Sequence, residues 1–232
     1  MGSRLWCVQL KIDRHGKAAV LSAADIQLLF ERGFQNSRDR CLFSVALFSG
    51  ARINEVCSLL TTDVYNAKAA VRSHLIIRKG NTKRQLATRT IPVIEDLRSI
   101  LERYQPLAGD PYLFPGRFDR HINPDSAARI LRRACLDVGI EGVSTHSFRR
   151  TALTQMSNAG IPLRVIAAMS GHRDLSQLFA YLEVKDEQIL GAAATLAMLS
   201  PVGEVGKVQL DDFTPNPTLK QVDAPELSPD SE

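Results

Sequence analysis

The segment SRDRCLFSVALFSG, residues 37–50, constrains the fold of this chain more than any other part. It predicts a helix of about 11 residues whose apolar side chains lie nearly all the way round its circumference. A helix of this kind needs other elements on every side, so it belongs at the centre of a core. Gly50 ends the helix. The sequence ARINEVCSLL starts another short helix almost at once, which places Arg52 near a turn between two helices.

Capping residues predict further helices on either side of this central one. Ser22 is a good N-cap with Asp25 three residues on, and Gly33 ends that helix. Asn123 caps a later helix, and Pro124 takes its first position, where a missing N–H costs nothing. The segment IEDLRSILERYQ predicts a helix with one apolar face, formed by Ile94, Leu97, Leu101 and Tyr104.

The middle of the chain changes period. HLIIR (74–78) and TRTIPV (88–93) predict two strands, and the polar segment between them predicts a hairpin tip with three cations, Lys79, Lys83 and Arg84. The patterns that follow are helical again. The predicted fold class is therefore α+β, mainly α-helical with a small antiparallel β-sheet.

Length and composition exclude several classes of protein. The 232 residues are 44% hydrophobic and 23% charged, which suits a folded domain with a sizeable core. No run of about 18 uncharged apolar residues is present, and the N-terminus lacks the apolar segment of a signal peptide. These features predict a cytoplasmic protein with no membrane partner. No cysteine lies in a C-x-x-C pair or at metal-ligand spacing to a histidine, so Cys41, Cys57 and Cys135 are predicted to be buried free thiols.

Charge is divided unevenly along the chain. Residues 201–232 contain seven acidic and two basic residues, so this segment has a net charge of −5 and residues 1–200 have +9. A basic folded body indicates a polyanionic partner. After Pro201 the composition shifts to Pro, Asp, Glu and Thr, which predicts a disordered tail. The predicted organisation is a lead over residues 1–20, a folded domain over 21–200 and this acidic tail.

The stretch THSFRRTALTQMSNAG places cations at the head of a predicted helix. A helix N-terminus already carries partial positive charge, so a negative group is expected to bind there. His146 and Arg149 are three residues apart, and they therefore project from one face and can meet one ligand. The planar, permanently charged guanidinium of Arg149 suits phosphate oxygens.

Four polar clusters contain residue types suited to phosphate chemistry. They are Arg52 in SGARINEV, Lys79 in RKGNTK, His146 with Arg149 in HSFRR, and His172 with Tyr181 in GHRDLSQLFAY. Their order and spacing resemble the tyrosine recombinase (phage integrase) family. In that family an Arg follows a Gly, with an acid three residues on, then a hairpin Lys, His-x-x-Arg and Gly-His, and a Tyr nine residues later. The resemblance covers roughly residues 20–195 and implies the catalytic-domain fold of the family.

The resemblance implies an enzyme that cleaves and rejoins DNA strands. Arg52 and Arg149 would clamp the scissile phosphate, and His172 would donate a hydrogen bond to it. Tyr181 would be the nucleophile and would form a 3′-phosphotyrosine, with His146 helping to accept its proton. The covalent intermediate stores the bond energy, so the resemblance implies neither ATP nor a metal or other cofactor.

The general acid is the role with two candidates. The resemblance assigns to Lys79 the protonation of the departing 5′ oxygen. The segment from Lys79 to Pro92 is a few residues longer than the usual hairpin of the family, which leaves Lys83 as the alternative. Five arginines are open to two interpretations, contact with backbone phosphates or solvated surface charge: Arg84, Arg89, Arg132, Arg133 and Arg150.

Partners follow from the same resemblance. It implies that the chain binds double-stranded DNA and assembles on it as a homo-oligomer, a tetrameric synapse. Without DNA the chain is expected to associate weakly or to be monomeric. The resemblance leaves open whether an accessory protein takes part. The last predicted helix either completes the protomer's own core or docks onto a neighbouring protomer, and the family favours docking; its apolar residues are Ile189, Leu190, Ala193, Leu196 and Ala197. Family members usually carry a helical core-binding domain before the catalytic one, and we expect it to be absent from this chain.

Two alternative functions use similar residues. A type IB topoisomerase would relax supercoiled DNA by the same chemistry without exchanging partners, but the His at position 146 and the compact chain favour a recombinase. A non-catalytic, DNA-binding regulatory relative is the other alternative. The complete set of clusters favours an enzyme over it.

Overall fold

The structure is a computed structural model that describes residues 18–78, 80, 88–118, 120–179 and 186–196. The chain divides into two compact units, Met1–Glu183 and Val184–Glu232. Residues 1–17 of the predicted lead (1–20) and the acidic tail over 201–232 lie outside the described residues, so the predicted domain limits stay predictions.

The first unit is built mainly from helices. In chain order its helices are α1 (Ala23–Leu28), a π-helical turn (Leu29–Gly33), α2 (Ser37–Ser49), α3 (Ile53–Cys57), α4 (Thr61–Val64), α5 (Glu95–Tyr104), a 3₁₀ turn (Gln105–Leu107), α6 (Pro124–Val138), α7 (Thr145–Asn158), α8 (Leu163–Ser170) and α9 (Leu175–Phe179). Two strands, β1 (His74–Ile77) and β2 (Arg89–Pro92), lie between α4 and α5. The mainly α-helical α+β class is confirmed.

Helix α2 is the centre of the core, as its sequence predicts. It packs against α3, α5 and α7, and it spans 13 residues, slightly more than the predicted length. The ring of Phe43 stacks on Phe34 with centroids 4.7 Å apart and also meets Phe148 at 5.0 Å. Gly50 closes the helix in the left-handed conformation, with φ of 58°. A buried helix with its C-terminal end fixed in this way holds the following residues, including Arg52, against the core.

The helix caps agree with the sequence, and one predicted core position is wrong. Ser22 and Asp25 form a reciprocal capping box, and Asn123 caps α6. Ile94, however, precedes α5 as its N-cap and is 49% exposed, while Leu97, Leu101 and Tyr104 are buried. The side chain at the N-cap position lies outside the helical repeat, so Ile94 does not share their face.

The small sheet consists of β1 and β2, which pair antiparallel from His74 opposite Pro92 to Ile77 opposite Arg89. Leu75, Ile77 and Ile91 are fully buried. The sheet contacts α4 through β1 and α8 through β2. Strand β2 therefore packs against α8, the helix that ends at Ser170, two residues before His172.

Cys41, Cys57 and Cys135 are buried and free, as predicted, and Cys7 lies outside the described residues. Burial raises the pKa of the Cys57 thiol to about 12 and that of Cys135 to about 11, which keeps both protonated. Of the helices in the described ranges, none is long and apolar enough to cross a membrane. In the second unit, Asp186–Thr195 forms α10, and its Ile189 and Leu190 side chains are exposed.

Candidate active site

The first two turns of α7 carry two of the predicted site residues, His146 and Arg149. Ser144 is its N-cap, and the Ser144 backbone N–H donates to Ser147 Oγ at 3.0 Å. His146 follows in the first turn and is exposed, whereas Arg149, one turn later, is only 2% exposed. The i, i+3 spacing places an exposed imidazole beside a buried guanidinium on one face of the helix.

The Arg149 side chain is held by the ends of two other helices. Its Nη1 donates to the carbonyl of Gly50, the C-cap of α2, at 2.6 Å, and its Nη2 donates to the carbonyl of Ser170, the last residue of α8, at 2.9 Å. Carbonyls at helix C-termini lack helical partners and carry partial negative charge. They therefore compensate a cation whose burial would otherwise cost several kcal/mol.

His172 lies against this guanidinium. Gly171 closes α8 with φ of 73°, which turns the chain so that the His172 ring places Nε2 3.1 Å from Arg149 Nη2. Ser170 Oγ donates to the Ile166 carbonyl at 2.6 Å and lies 2.8 Å from His172 Nδ1. Arg149 Nη2 also lies 3.4 Å from His172 Nδ1, so the guanidinium and the Ser170 hydroxyl together fix the position of the ring.

The charge of His172 follows from these neighbours. Burial lowers its pKa to about 4, and the positive charges of Arg149, Arg52 and Arg89 contribute in the same direction. The ring is therefore neutral at pH 7 in the protein without DNA. A neutral imidazole next to clustered cations is available to gain a proton when a negative ligand arrives.

Arg52 approaches His172 from the start of α3, close enough for its charge to lower the pKa of the ring. It is the N-cap residue, and its side chain is 27% exposed. Glu55, fully buried, accepts the Arg52 backbone N–H at 2.9 Å and lies 3.4 Å from Arg52 Nη1. Burial alone would raise the pKa of Glu55, but the hydrogen bond and charge of Arg89, followed by those of Arg52, lower it. The ionised carboxylate thus fixes the backbone from which Arg52 extends.

The structure brings together three of the six predicted site residues, Arg52, Arg149 and His172, and it places His146 one turn from Arg149. Lys79, its alternative Lys83, and Tyr181 lie outside the described residues. Next to Lys79, Arg78 pairs with the buried Asp63 at 2.6 Å, which anchors the end of β1.

Comparison with known proteins identifies the family. A model of the phage integrase family matches residues 20–188, more than half of the chain. The chain belongs to the phage integrase family. A tyrosine recombinase of Pseudothermotoga lettingae is 31% identical over 172 residues, which are 72% of this chain and 57% of that protein. XerC of Corynebacterium glutamicum is 29% identical over 160 residues, which are 67% of this chain and 49% of that protein. The chain spans about half the length of the curated relatives it matches.

Solved structures share the fold. The crystal structure of XerA recombinase superposes with a TM-score of 0.63 at 22% identity, over 79% of this chain and 65% of that one. The Tn1549 transposon integrase in complex with transposon right end DNA also gives 0.63, at 16% identity, over 78% and 66% of the two chains. The catalytic-domain fold of the phage integrase family, expected from the motifs, is confirmed.

Two arginines of this integrase-family chain have a different environment from the one expected. For Arg150 and Arg89 the sequence leaves open contact with backbone phosphates or solvated surface charge, and the interpretation as solvated surface charge is wrong for both. Arg150 is 3% exposed and donates from Nη1 to the Ala18 carbonyl at 2.6 Å. Arg89, with an 11% exposed side chain, pairs with Glu55. A buried Arg held by a distant carbonyl or carboxylate leaves no periodic signature in the sequence.

The other three arginines of that set remain as predicted or untested. Arg132 and Arg133 are exposed on α6, and Arg133 Nε lies 2.9 Å from Asp137. Arg84 lies outside the described residues.

A second cationic region lies at the opposite end of α2. A cleft of about 630 Å³ is lined by Arg38, in the first turn of α2, and by Arg117, Arg120 and Arg129 around the start of α6. Phe118, beside them, is 90% exposed. We call this region the basic cleft. It lies the length of α2, about 20 Å, from the Gly50 carbonyl that holds Arg149. The motif analysis missed it, although GRFDRH concentrates three basic side chains in six residues.

Proposed function

We propose that the chain is the catalytic domain of a site-specific DNA recombinase or integrase, which cleaves and rejoins DNA strands through a 3′-phosphotyrosine. The observation that carries the proposal is the convergence of Arg52, Arg149 and His172 where α2 and α8 end. Two guanidinium groups with a neutral imidazole fit the oxygens of a phosphodiester, whose charge grows during attack.

Binding of the phosphate is the first step. The partly exposed Arg52 and the buried Arg149 would each donate to a non-bridging oxygen. Arg149 is pre-organised by the Gly50 and Ser170 carbonyls, so little reorganisation is needed when the phosphate arrives. The phosphate charge offsets the positive charges that lower the pKa of His172. The ring would then take up a proton and donate a hydrogen bond to the phosphate.

Cleavage would follow by transfer to tyrosine. Tyr181 Oη forms the new bond to phosphorus, and its proton passes to His146, which is exposed on the same side of α7 as Arg149. The bond from phosphorus to the 5′ oxygen breaks, and Lys79, or Lys83, supplies the proton to that oxygen. Attack by a 5′ hydroxyl of a partner strand reverses these steps and restores Tyr181. No water or cofactor takes part in this sequence.

DNA is the proposed partner. The +9 charge of residues 1–200 and the exposed arginines of the basic cleft support binding to a polyanion such as duplex DNA. The Tn1549 integrase among the structural relatives is in complex with DNA. We further propose a homo-oligomer on DNA, with α10 docking onto a neighbouring protomer. The exposed Ile189, Leu190 and Leu196 side chains support this proposal.

The test is covalent trapping on suicide substrates. Nicked duplexes tiled across the DNA that flanks the coding region are incubated with the protein, and adducts are resolved on a denaturing gel. We expect a covalent adduct with at least one duplex and none for Tyr181→Phe. An equal adduct yield from Tyr181→Phe would contradict the role of Tyr181. Relaxation of any supercoiled plasmid, without a specific duplex, would favour topoisomerase chemistry instead.

A further inference from the structure

We propose that Arg89 is a positioning residue of the active site: it neutralises Glu55 and fixes the end of α8, so that Arg52 and His172 face the phosphate together. The proposal rests on the proposed function. It concerns a residue outside the four motif clusters, on a strand of the small sheet.

The contacts of Arg89 reach two separate elements. Its Nη2 lies 2.7 Å from Glu55 Oε2 and its Nη1 lies 3.3 Å from Oε1, a two-pronged pair with a fully buried carboxylate. Its Nε donates to the Met169 carbonyl in the last turn of α8 at 3.1 Å. Thus one side chain joins β2 to the start of α3 and to the end of α8.

The first consequence concerns the charge available to Arg52. Glu55 Oε2 accepts the Arg52 backbone N–H, while the Arg52 guanidinium makes only a longer contact of 3.4 Å to Oε1. Arg89 supplies the short ion pair, at 2.7 Å. Without Arg89, the buried Glu55 would draw the Arg52 guanidinium into a tight pair, because an unpaired buried carboxylate is strongly unfavourable. That pair would compete with the phosphate.

The second consequence concerns His172. A Cβ atom at Gly171 would lie 2.9 Å from Arg89 Nη1 and 3.0 Å from its Cζ. The guanidinium therefore packs directly against the turn that precedes His172. The bond to Met169 and this packing together hold the residues that turn the imidazole toward Arg149.

We assign Arg89 to positioning because Glu55 and the end of α8 both hold its guanidinium. Its side chain is 11% exposed, and each of its three nitrogens contacts a protein acceptor. A suitable control is Arg150, which is also buried but bonds to the Ala18 carbonyl, in the lead to α1.

The experiment compares Arg89→Met, Arg89→Lys and Arg150→Met in single-turnover adduct formation on a trapped suicide substrate. We expect Arg89→Met to lower the rate about 100-fold, and Arg89→Lys to recover part of it, because Lys keeps the charge but not the two-pronged geometry. Arg150→Met, measured where both variants are folded, should change the rate less than about threefold. Equal losses in Arg89→Met and Arg150→Met would overturn the proposal.

A double variant separates positioning from simple loss of structure. Glu55→Gln removes the carboxylate that would otherwise draw in Arg52, so Arg89→Met with Glu55→Gln should be about tenfold faster than Arg89→Met alone. Additive losses would contradict the proposal.

A readout without DNA keeps the test independent of the proposed function. The His172 ring is titrated by NMR in the full chain. Arg89→Met should raise its pKa and move its ring resonances, while Arg150→Met should leave both unchanged. If no duplex gives an adduct with the wild type, the recombinase function fails, and an unchanged His172 in Arg89→Met would overturn the role of Arg89 separately.

Discussion

The two ends of α2 use the same residue type in opposite ways. At its C-terminal end, Arg149 is buried, and two main-chain carbonyls and His172 surround it. At its N-terminal end, Arg117, Arg120 and Arg129 are exposed around the basic cleft. Buried, fixed cations suit transition-state stabilisation, whereas exposed ones suit salt-sensitive attraction to a polyanion. The arginines at both ends carry the same charge, so their burial is what distinguishes the proposed catalytic group from the proposed DNA-binding group.

The sharpest test of this contrast removes the buried cation. Arg149→Met should lower adduct formation about 1000-fold, because it removes one of the two guanidinium groups proposed to stabilise the developing charge on the phosphate. It should also lower the free energy of unfolding by about 3 kcal/mol, since the Gly50 and Ser170 carbonyls lose their partner. Adduct gels and urea denaturation measure the two effects. The matched control is Arg129→Met in the basic cleft, for which a comparable loss of rate would abolish the distinction.

Removing the exposed arginines at the N-terminal end of α2 should weaken DNA binding and leave the cleavage rate nearly unchanged. The triple variant Arg117→Ala, Arg120→Ala, Arg129→Ala is expected to bind flanking duplex DNA about 10- to 100-fold more weakly at about 0.15 M salt. The slope of log affinity against log salt should fall by about 2 to 3, because three phosphates would no longer be neutralised by an arginine. Fluorescence anisotropy at several salt concentrations measures both. Once DNA is saturating, the cleavage rate should change less than about threefold; a large loss there would place the cleft in the chemistry.

Two glycines offer a finer comparison within the folded body. Gly171 and Gly139 both end helices in the left-handed conformation, with φ of 73° and 72°. Alanine at either should lower the free energy of unfolding by about 1 kcal/mol. Only at Gly171 does the new methyl group meet Arg89, whereas nothing lies within 4 Å of Gly139. Gly171→Ala should therefore lower adduct formation about tenfold, and Gly139→Ala should leave it unchanged. Equal rates would show that the turn tolerates the methyl group.

The smallest expected effect is on the pH dependence of stability. The folded protein lowers the pKa of His172 from 6.5 to about 4. Below pH 6.5 the unfolded chain therefore binds a proton that the folded state resists, so stability should fall as the pH drops from 6.5 toward 4. His172→Gln should flatten this part of the profile, measured by thermal melts from about pH 4 to 8. The control variant is His74→Gln, at an exposed position on β1.

Features with local causes were predictable from the sequence. The caps at Ser22 and Asn123, the stop at Gly50 and the central position of α2 each depend on residues within a few positions of one another. The convergence of Arg52 and Arg149 near His172 also followed, but only from the family resemblance. The roles of Lys79 and Tyr181 stay predictions.

Features with distant causes were not predictable. The partners of Arg149 lie 99 and 21 residues away, the acceptor of Arg150 lies 132 away, and Arg89 reaches 34 residues to Glu55 and 80 to Met169. A backbone carbonyl can accept such a bond in a residue of any type, so the residue types in the sequence do not indicate which carbonyls bind an arginine. An exposed and a buried arginine are therefore identical in the sequence.

The use of Gly50 and Ser170 carbonyls has a consequence for evolution and engineering. A point mutation can delete a carboxylate that holds an arginine, but it cannot delete a main-chain oxygen. The guanidinium of Arg149 is thus tethered by atoms that every variant of this chain inherits, as long as the two helices end where they do. Libraries that randomise Arg117 and Arg120 in the basic cleft can therefore be screened for new DNA sites, because every library member keeps the main-chain oxygens that bind Arg149.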